Sequence, residues 1–184
     1  MKALHFSIIL LFMSIITHAQ KKDPWTEYMM PNEIHALLNE YVGEFDLEIT
    51  MWMKEGSEPM VMNVISDHKM ILDNRFLEMT QIGKMMGMDY QSLTTLGFNT
   101  INKTFSLTAL TNMGTGTVYL NGAWNPEKRI ANLNGQMTNP MDGKTIAVRQ
   151  QITFLNENQL LIESFDTYEG GKEKKSIQYK YVRK

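Results

Sequence analysis

QLLIESFDTYEGGKEKKSIQYKYV, residues 159–182, is the stretch on which the fold of this chain turns. Leu160, Ile162 and Ser164 fall on one face of an extended run, and Ile177, Tyr179 and Tyr181 fall on one face of the next. A period of two is that of a strand with one buried side. Between the runs lies Glu169-Gly170-Gly171-Lys172, a turn composition. Setting Leu160, Ile162 and Ser164 opposite Tyr181, Tyr179 and Ile177 makes the two faces coincide. A slip of one residue would turn each of them to solvent. The stretch reads as an antiparallel hairpin.

Working outward, the same alternation recurs. Phe45, Leu47, Ile49, Met51 and Met53 alternate with Glu44, Asp46, Glu48, Thr50 and Trp52. Comparable runs are expected at 60–66, 74–82, 89–98, 103–111, 117–124, 129–137, 144–155, 159–168 and 174–182. Turn residues separate many of them, such as Met113-Gly114-Thr115-Gly116, Asn125-Pro126-Glu127-Lys128 and Asn156-Glu157-Asn158. Two further hairpins can be registered. Trp124 opposite Arg129 sets Leu120 and Gly122 against Leu133 and Ala131, and Phe98 opposite Lys103 sets Leu96, Thr94 and Ser92 beside Phe105, Leu107 and Ala109. Leu155 opposite Gln159 brings Glu163 near Arg149 as an exposed ion pair. Only Ile34, Leu37, Leu38 and Tyr41, opened by Pro31-Asn32-Glu33 and stopped at Gly43, carry helical spacing. The reading is an all-β, single antiparallel up-and-down barrel of about ten strands with one short N-terminal helix, because closure removes the edges of a meander.

The N-terminus has another character. Lys2, the apolar run Phe6–Ile16 and Thr17-His18-Ala19 have the pattern of a secretory signal peptide, 1–19, with cleavage before Gln20. The run is shorter than the ~20 residues a membrane span requires. Residues 20–30 read as a tether and 31–184 as one domain. The expected location is outside the cytoplasm, periplasmic or secreted. The chain has no cysteine, which excludes disulfides, a thiol nucleophile and thiolate metal sites. With 18 basic and 20 acidic residues and no block of like charge, nucleic acid and anionic membrane are not expected partners.

Tyr41-Val42-Gly43-Glu44-Phe45, Arg75-Phe76-Leu77, Gly97-Phe98-Asn99 with Met113-Gly114-Thr115-Gly116, and Lys172-Glu173-Lys174 before Tyr179-Lys180-Tyr181-Val182-Arg183-Lys184 resemble the uncharacterised bacterial family called domain of unknown function 1579. The resemblance covers roughly residues 33–184. It implies a lipocalin-like (calycin) barrel with the helix plugging one end. Members often carry Trp and Asp on the strand leading into the Gly-Thr-Gly turn, where this chain has Ala109 and Thr111. The family brings no agreed function with it.

Motifs of catalysis are missing from the sequence: there is no G-x-S-x-G and no HExxH. His35 and His68 lack metal-ligand spacing. The chain has 16 methionines, with M-x-M spacings at Met51/Met53, Met60/Met62 and Met86/Met88. These fit soft packing of a barrel interior first and Cu(I) second. Asp166 shares parity with Leu160, Ile162 and Ser164, which places it inward near a barrel mouth. The inward polar candidates are Tyr90, Ser92, Thr94, Thr111, Gln150, Ser164 and Tyr179, among Phe105, Leu107, Trp124, Ile152 and Phe154. From these, Tyr90, Thr94, Phe105, Trp124, Gln150, Ser164 and Tyr179 are the expected ligand-binding residues, with no catalytic or metal residue and no cofactor. The expected function is non-catalytic binding of a small apolar or amphipathic molecule. The alternatives are a filled barrel acting as a protein-interaction or envelope module, docking through an 83–89 loop, and a haem or copper carrier.

Overall fold

The computed structural model describes residues 23–53, 56 and 58–184. The expected signal peptide and the first residues of the tether lie outside them. Ten strands follow in order: β1 (Gly43–Met51), β2 (Met60–Ile71), β3 (Phe76–Met85), β4 (Met88–Asn99), β5 (Thr104–Thr111), β6 (Val118–Asn125), β7 (Ile130–Thr138), β8 (Thr145–Asn156), β9 (Gln159–Thr167) and β10 (Lys174–Arg183). Each pairs antiparallel with its neighbours in sequence, and β10 returns to β1 to close the barrel. No strand edge remains for a foreign strand to join.

The parity read from the sequence holds. Phe45, Leu47 and Ile49 of β1, Leu77 and Met79 of β3, and Leu160 and Ile162 of β9 are buried, while their alternates, apart from the buried Thr50, face water or are half-buried. The β9–β10 hairpin pairs Leu160 with Tyr181, Ile162 with Tyr179 and Ser164 with Ile177, as expected, with a bulge between Lys175 and Ile177. Two hairpins differ by two residues from the expected register. Phe98 faces Phe105 rather than Lys103, and Trp124 faces Ala131 rather than Arg129. A two-residue slip conserves parity, so alternation could not detect it. The turns did the shifting: Thr100–Lys103 and Pro126–Arg129 each close on a non-glycine residue with positive φ, Lys103 at 58° and Arg129 at 53°. Asn99 and Asn125 side chains accept backbone N–H groups of these loops. Glu163 is the diagonal neighbour of Arg149 as expected, but the ion pair between them is corrected. Glu163 lies opposite Gln151 and bonds Lys175 at 2.6 Å, while Arg149 forks onto Glu173 at 2.9 and 2.8 Å.

Helix α2 (Glu33–Asn39) begins at Asn32, whose side chain accepts the Ile34 N–H at 3.1 Å; the Asn32 N–H donates in turn to His35 Nδ1 at 3.1 Å. Its buried face, Ile34, Leu37 and Leu38, joins the barrel core together with Tyr41. The segment read as a tether contains a further helix, α1 (Pro24–Met29), capped by Asp23, with no buried residue. Backbone carbonyls rather than apolar packing fasten α1: Arg75 Nη2 donates to Met29 O at 2.7 Å and Thr100 Oγ1 to Glu27 O at 2.7 Å. Among the described residues no helix is long and apolar enough to cross a membrane.

The barrel thus has two unlike ends. At the capped end, where α2 packs on β2, β3 and β4, lie the β2–β3, β4–β5, β6–β7 and β8–β9 turns. At the other end lie the β1–β2, β3–β4, β5–β6, β7–β8 and β9–β10 connections.

Candidate functional site

The inward side chains form layers from the capped end upward. The lowest is aromatic. Phe98, Phe105, Trp124, Phe154 and Tyr41 meet in a chain of tilted and edge-on contacts with centroids 5.1–5.8 Å apart. Phe105 and Trp124, expected to line a ligand pocket, are members of this packed layer. The Trp124 indole Nε1 is buried and has no hydrogen-bond partner among the described residues. Beside them His68 stacks on Phe45 at 4.4 Å. Its Nδ1 lies 3.1 Å from the Tyr41 carbonyl, which can only accept, so Nδ1 carries the proton and Nε2 accepts from Ser66 Oγ at 2.8 Å. Burial lowers the His68 pKa to about 4, only partly offset by that carbonyl, so the ring is neutral. His68 sits within β2 and is a structural link between barrel and cap.

The middle layer is polar. Tyr90 OH donates to Gln81 Oε1 at 3.1 Å, and Gln81 Nε2 donates to Tyr181 OH at 2.9 Å. Beside this relay lies a cavity of about 50 Å³ lined by Thr94, Gln150 and Tyr179 with Gln81, Ser92, Leu107, Ala109, Ile162 and Tyr181. Three of the expected residues therefore meet there. Ser164 and Tyr90 are buried but do not line it: Ser164 is paired across the strands with Gln150, and Tyr90 bonds the lining Gln81. Burial raises the Tyr90, Tyr179 and Tyr181 hydroxyl pKa values, the last two further through neighbouring phenols, so all three remain neutral donors. Gln150 Oε1 is buried and finds no donor. Gln81, which the sequence reading passed over, is signalled by its parity with Leu77 and Met79 inside β3.

The uppermost layer opens to water. Between the end of β1 and the β9–β10 connection lies a cleft of about 990 Å³, walled by Met51, Trp52, Met53, Tyr168 and Ile177 on its apolar side. Gly56, Asp166, Gly171, Lys172, Lys174, Lys175 and Ser176 also line it. Met51 is paired across the strands with Met60, so two thioethers flank the entrance. Burial raises the Asp166 pKa, partly offset by a Ser176 hydrogen bond, in keeping with the inward mouth position expected of it. No group of three or more His, Cys, Asp or Glu among the described residues is placed to hold a metal ion.

The expected 83–89 loop is a correction. β3 continues to Met85 and β4 starts at Met88, which leaves a two-residue turn, Met86-Gly87, with φ of 53° and 81°. Both residues lie in the left-handed region that tight hairpins need. Gly83, Met85 and Met88 are ladder residues, and Lys84 pairs with Asp89 across the strands at 2.5 Å.

Residues 30–183 match the family described as "Protein of unknown function (DUF1579)". No curated protein matches the chain. Among solved structures, a redesigned β-barrel is similar at a TM-score of 0.45 and 9% sequence identity, covering 80% of this chain and 95% of its own.

Proposed function

The chain belongs to the DUF1579 family, and we propose that it is an exported, lipocalin-like carrier that binds a small amphipathic molecule at its uncapped end and catalyses nothing. One observation carries this reading. The uncapped end holds a cleft of about 990 Å³ with an apolar wall of Met51, Trp52, Met53 and Ile177, set above a polar interior whose Gln150 oxygen lacks a donor. A cleft of that size, mostly apolar with a few polar groups, suits a small organic ligand. The inner cavity of about 50 Å³ has room for only a few waters. The cargo therefore seats in the mouth and sends at most a small polar group toward Gln150, Tyr179 and Thr94. Methionine suits such a wall because its unbranched thioether adapts to different apolar shapes.

The test is native mass spectrometry of protein taken from its own source without added ligand, beside the denatured mass of the same sample. A reproducible adduct of a few hundred daltons, lost in Trp52→Ala, supports the carrier. A bare mass, with no binding of an apolar fluorescent probe, overturns it. The near-full interior favours a second reading in that event: a protein-interaction module whose barrel is only a scaffold.

A further inference from the structure

Two motifs of the sequence, Arg75-Phe76-Leu77 and Gly97-Phe98-Asn99, have no part in the mouth cleft. The fold brings them together at the capped end. Phe76 of β3 pairs with Gly97 of β4, and Gly97 with Ser106 of β5, so the three form one row across the outside of the sheet. A Cβ on Gly97 would stand 2.5 Å from the Phe76 ring and 3.4 Å from Ser106 Oγ. Glycine therefore lets the Phe76 ring lie against the neighbouring strand. Beside this row is a cavity of about 520 Å³, lined from the barrel by Arg75, Phe76, Phe98, Asn99 and Ser106. That volume is in the range of small-molecule sites.

Helix α1 crosses the cavity as a strap. Its Tyr28 and Met29 line the space yet are 54% and 46% exposed, and the helix has no buried residue. Polar ties hold it on either side: Arg75 to Met29 O, Thr100 to Glu27 O, and Lys103 to the Glu27 carboxylate at 2.9 Å. A helix pinned over a hollow that its own apolar residues line gains burial when the hollow is filled.

The polar side of the cavity donates. Asn99 Oδ1 accepts the Ile101 and Asn102 N–H groups at 2.9 and 3.3 Å. The Asn99 Nδ2 group and the Ser106 hydroxyl have no partner among the described residues. Arg75 gives Nη1 to the Leu72 and Asp73 carbonyls and Nη2 to Met29 O, which uses three of its N–H groups and leaves its charge in place. The Asp73 carboxylate, 3.9 Å from Nη1, is 98% exposed and screened by water. Among the described residues no acid lines the cavity; Glu27 is paired with Lys103, and Glu33 is exposed on the first turn of α2.

We propose that this cavity is a second ligand site and that it takes a small aromatic acid, its ring against Phe76 and Tyr28 and its carboxylate on Arg75, Asn99 Nδ2 and Ser106 Oγ. The site stands apart from the carrier reading, because the mouth cleft is at the opposite end of the barrel. A neutral aromatic forgoes the charge-assisted bonds, and a cation meets Arg75.

Isothermal titration of the purified protein with naphthoate, naphthylmethanol and naphthylmethylammonium tests the site and its charge class. Naphthoate is expected to bind about tenfold more tightly than the alcohol, the worth of one half-exposed hydrogen bond to a charged group. Bound naphthoate also slows hydrogen exchange in α1. Asn99→Asp keeps an oxygen for the Ile101 and Asn102 N–H groups and puts a negative charge where the amide donor stood. It is expected to abolish the preference for naphthoate at an unchanged melting temperature, whereas Trp52→Ala at the mouth leaves the preference intact. Ser106→Ala, which breaks no bond of the turn, carries the same test should Asn99→Asp fail to fold, with an expected loss of about threefold. Equal affinity for naphthoate and the alcohol overturns the anionic class. Binding lost in Trp52→Ala but kept in Asn99→Asp places the probe in the mouth, which overturns this site and leaves the carrier reading standing. Failure of all three probes overturns the site, while the carrier is decided by its own native mass.

Discussion

The capped and uncapped ends of this barrel use the same strands but different side chains. At the capped end the interior is aromatic, and most of its polar groups are tied. Tyr41 OH donates to Asn156 O at 2.8 Å, and His68 joins Ser66 to the Tyr41 carbonyl. Arg183 donates to the carbonyls of Glu40, Val42 and Glu157 while lying 4.6 Å over Phe45. At the uncapped end, Met51, Met60 and Ile177 are only partly buried, while the aromatic and middle layers each keep one buried polar atom without a partner among the described residues, Trp124 Nε1 and Gln150 Oε1. Rigid rings in edge contact fix one geometry, whereas thioethers accept several. On the carrier reading proposed above, the capped end holds the fold and the uncapped end, where the large cleft lies, takes the ligand.

The strongest way to break that comparison is to truncate a side chain at each end. Phe154→Ala removes a fully buried ring that touches Tyr41, Phe105 and Trp124, and is expected to cost about 3–5 kcal/mol in denaturant unfolding. Met51→Ala, at a half-buried position on the rim, is expected to cost about 1 kcal/mol or less, since much of its surface is already in water. Equal losses would mean that the ends are not energetically distinct.

Acid sharpens the comparison from another side. His68 is 1% exposed, and its pKa falls from 6.5 to about 4. Between those values the unfolded chain binds a proton that the folded chain refuses, so stability declines as pH falls from 6.5 toward 4. The full shift corresponds to about 3 kcal/mol. His35, lowered by burial and Arg75, adds in the same direction. Unfolding free energies measured at pH 7 and pH 4 should differ by markedly less in His68→Phe than in the parent. A parallel acid dependence in the two proteins would remove the histidine from the account. The proposed ligand cleft is at the other end, so probe affinity in His68→Phe should match the parent at pH 7.

Arg183→Ala ranks next. It deletes charge-assisted bonds to three carbonyls around the β1 entry and the β8–β9 turn, an expected loss of about 2 kcal/mol after allowing for partial exposure. The loss should appear as faster hydrogen exchange in residues 40–45 and 156–159, with the uncapped end unmoved. Uniform loosening of the barrel would show that the cap is not a separate unit.

What the sequence made legible at the capped end was which residues face inward. Parity located Phe45, Phe105, Phe154, Leu160 and Tyr181 because a buried strand face repeats every second residue. Exact register was less legible, since Lys103 and Arg129 adopt a left-handed conformation that nothing in their side chains announces. At the site, Thr94, Gln150 and Tyr179 followed from parity, but their depth did not: alternation tells inward from outward and says nothing of height along the axis. Phe105 and Trp124 were therefore placed with them, although both lie in the layer below. The mouth was the least legible region. Trp52 and the lysines gather there through loop ends and a bulge, where the two-residue period stops.

The smallest expected effect is also the one with the opposite sign. Gln150 is half-buried, and its Oε1 has no donor, a cost to the folded state that water would not impose on the unfolded chain. Gln150→Leu keeps nearly the same volume and removes the orphaned oxygen. The expected change in unfolding free energy runs from zero to a gain of about 1 kcal/mol. If the oxygen is instead the acceptor for a ligand's polar group, the same variant should weaken binding of a hydroxyl-bearing probe while leaving an all-hydrocarbon one unaffected. Stability gained together with selectivity lost would identify Gln150 as a position kept for binding rather than for folding. A loss of stability above about 1 kcal/mol would mean that ordered water completes the amide's hydrogen bonds and that the polar layer supports the barrel. In that case the boundary between the structural and the binding end moves one layer upward, and the ligand is confined to the cleft outside it.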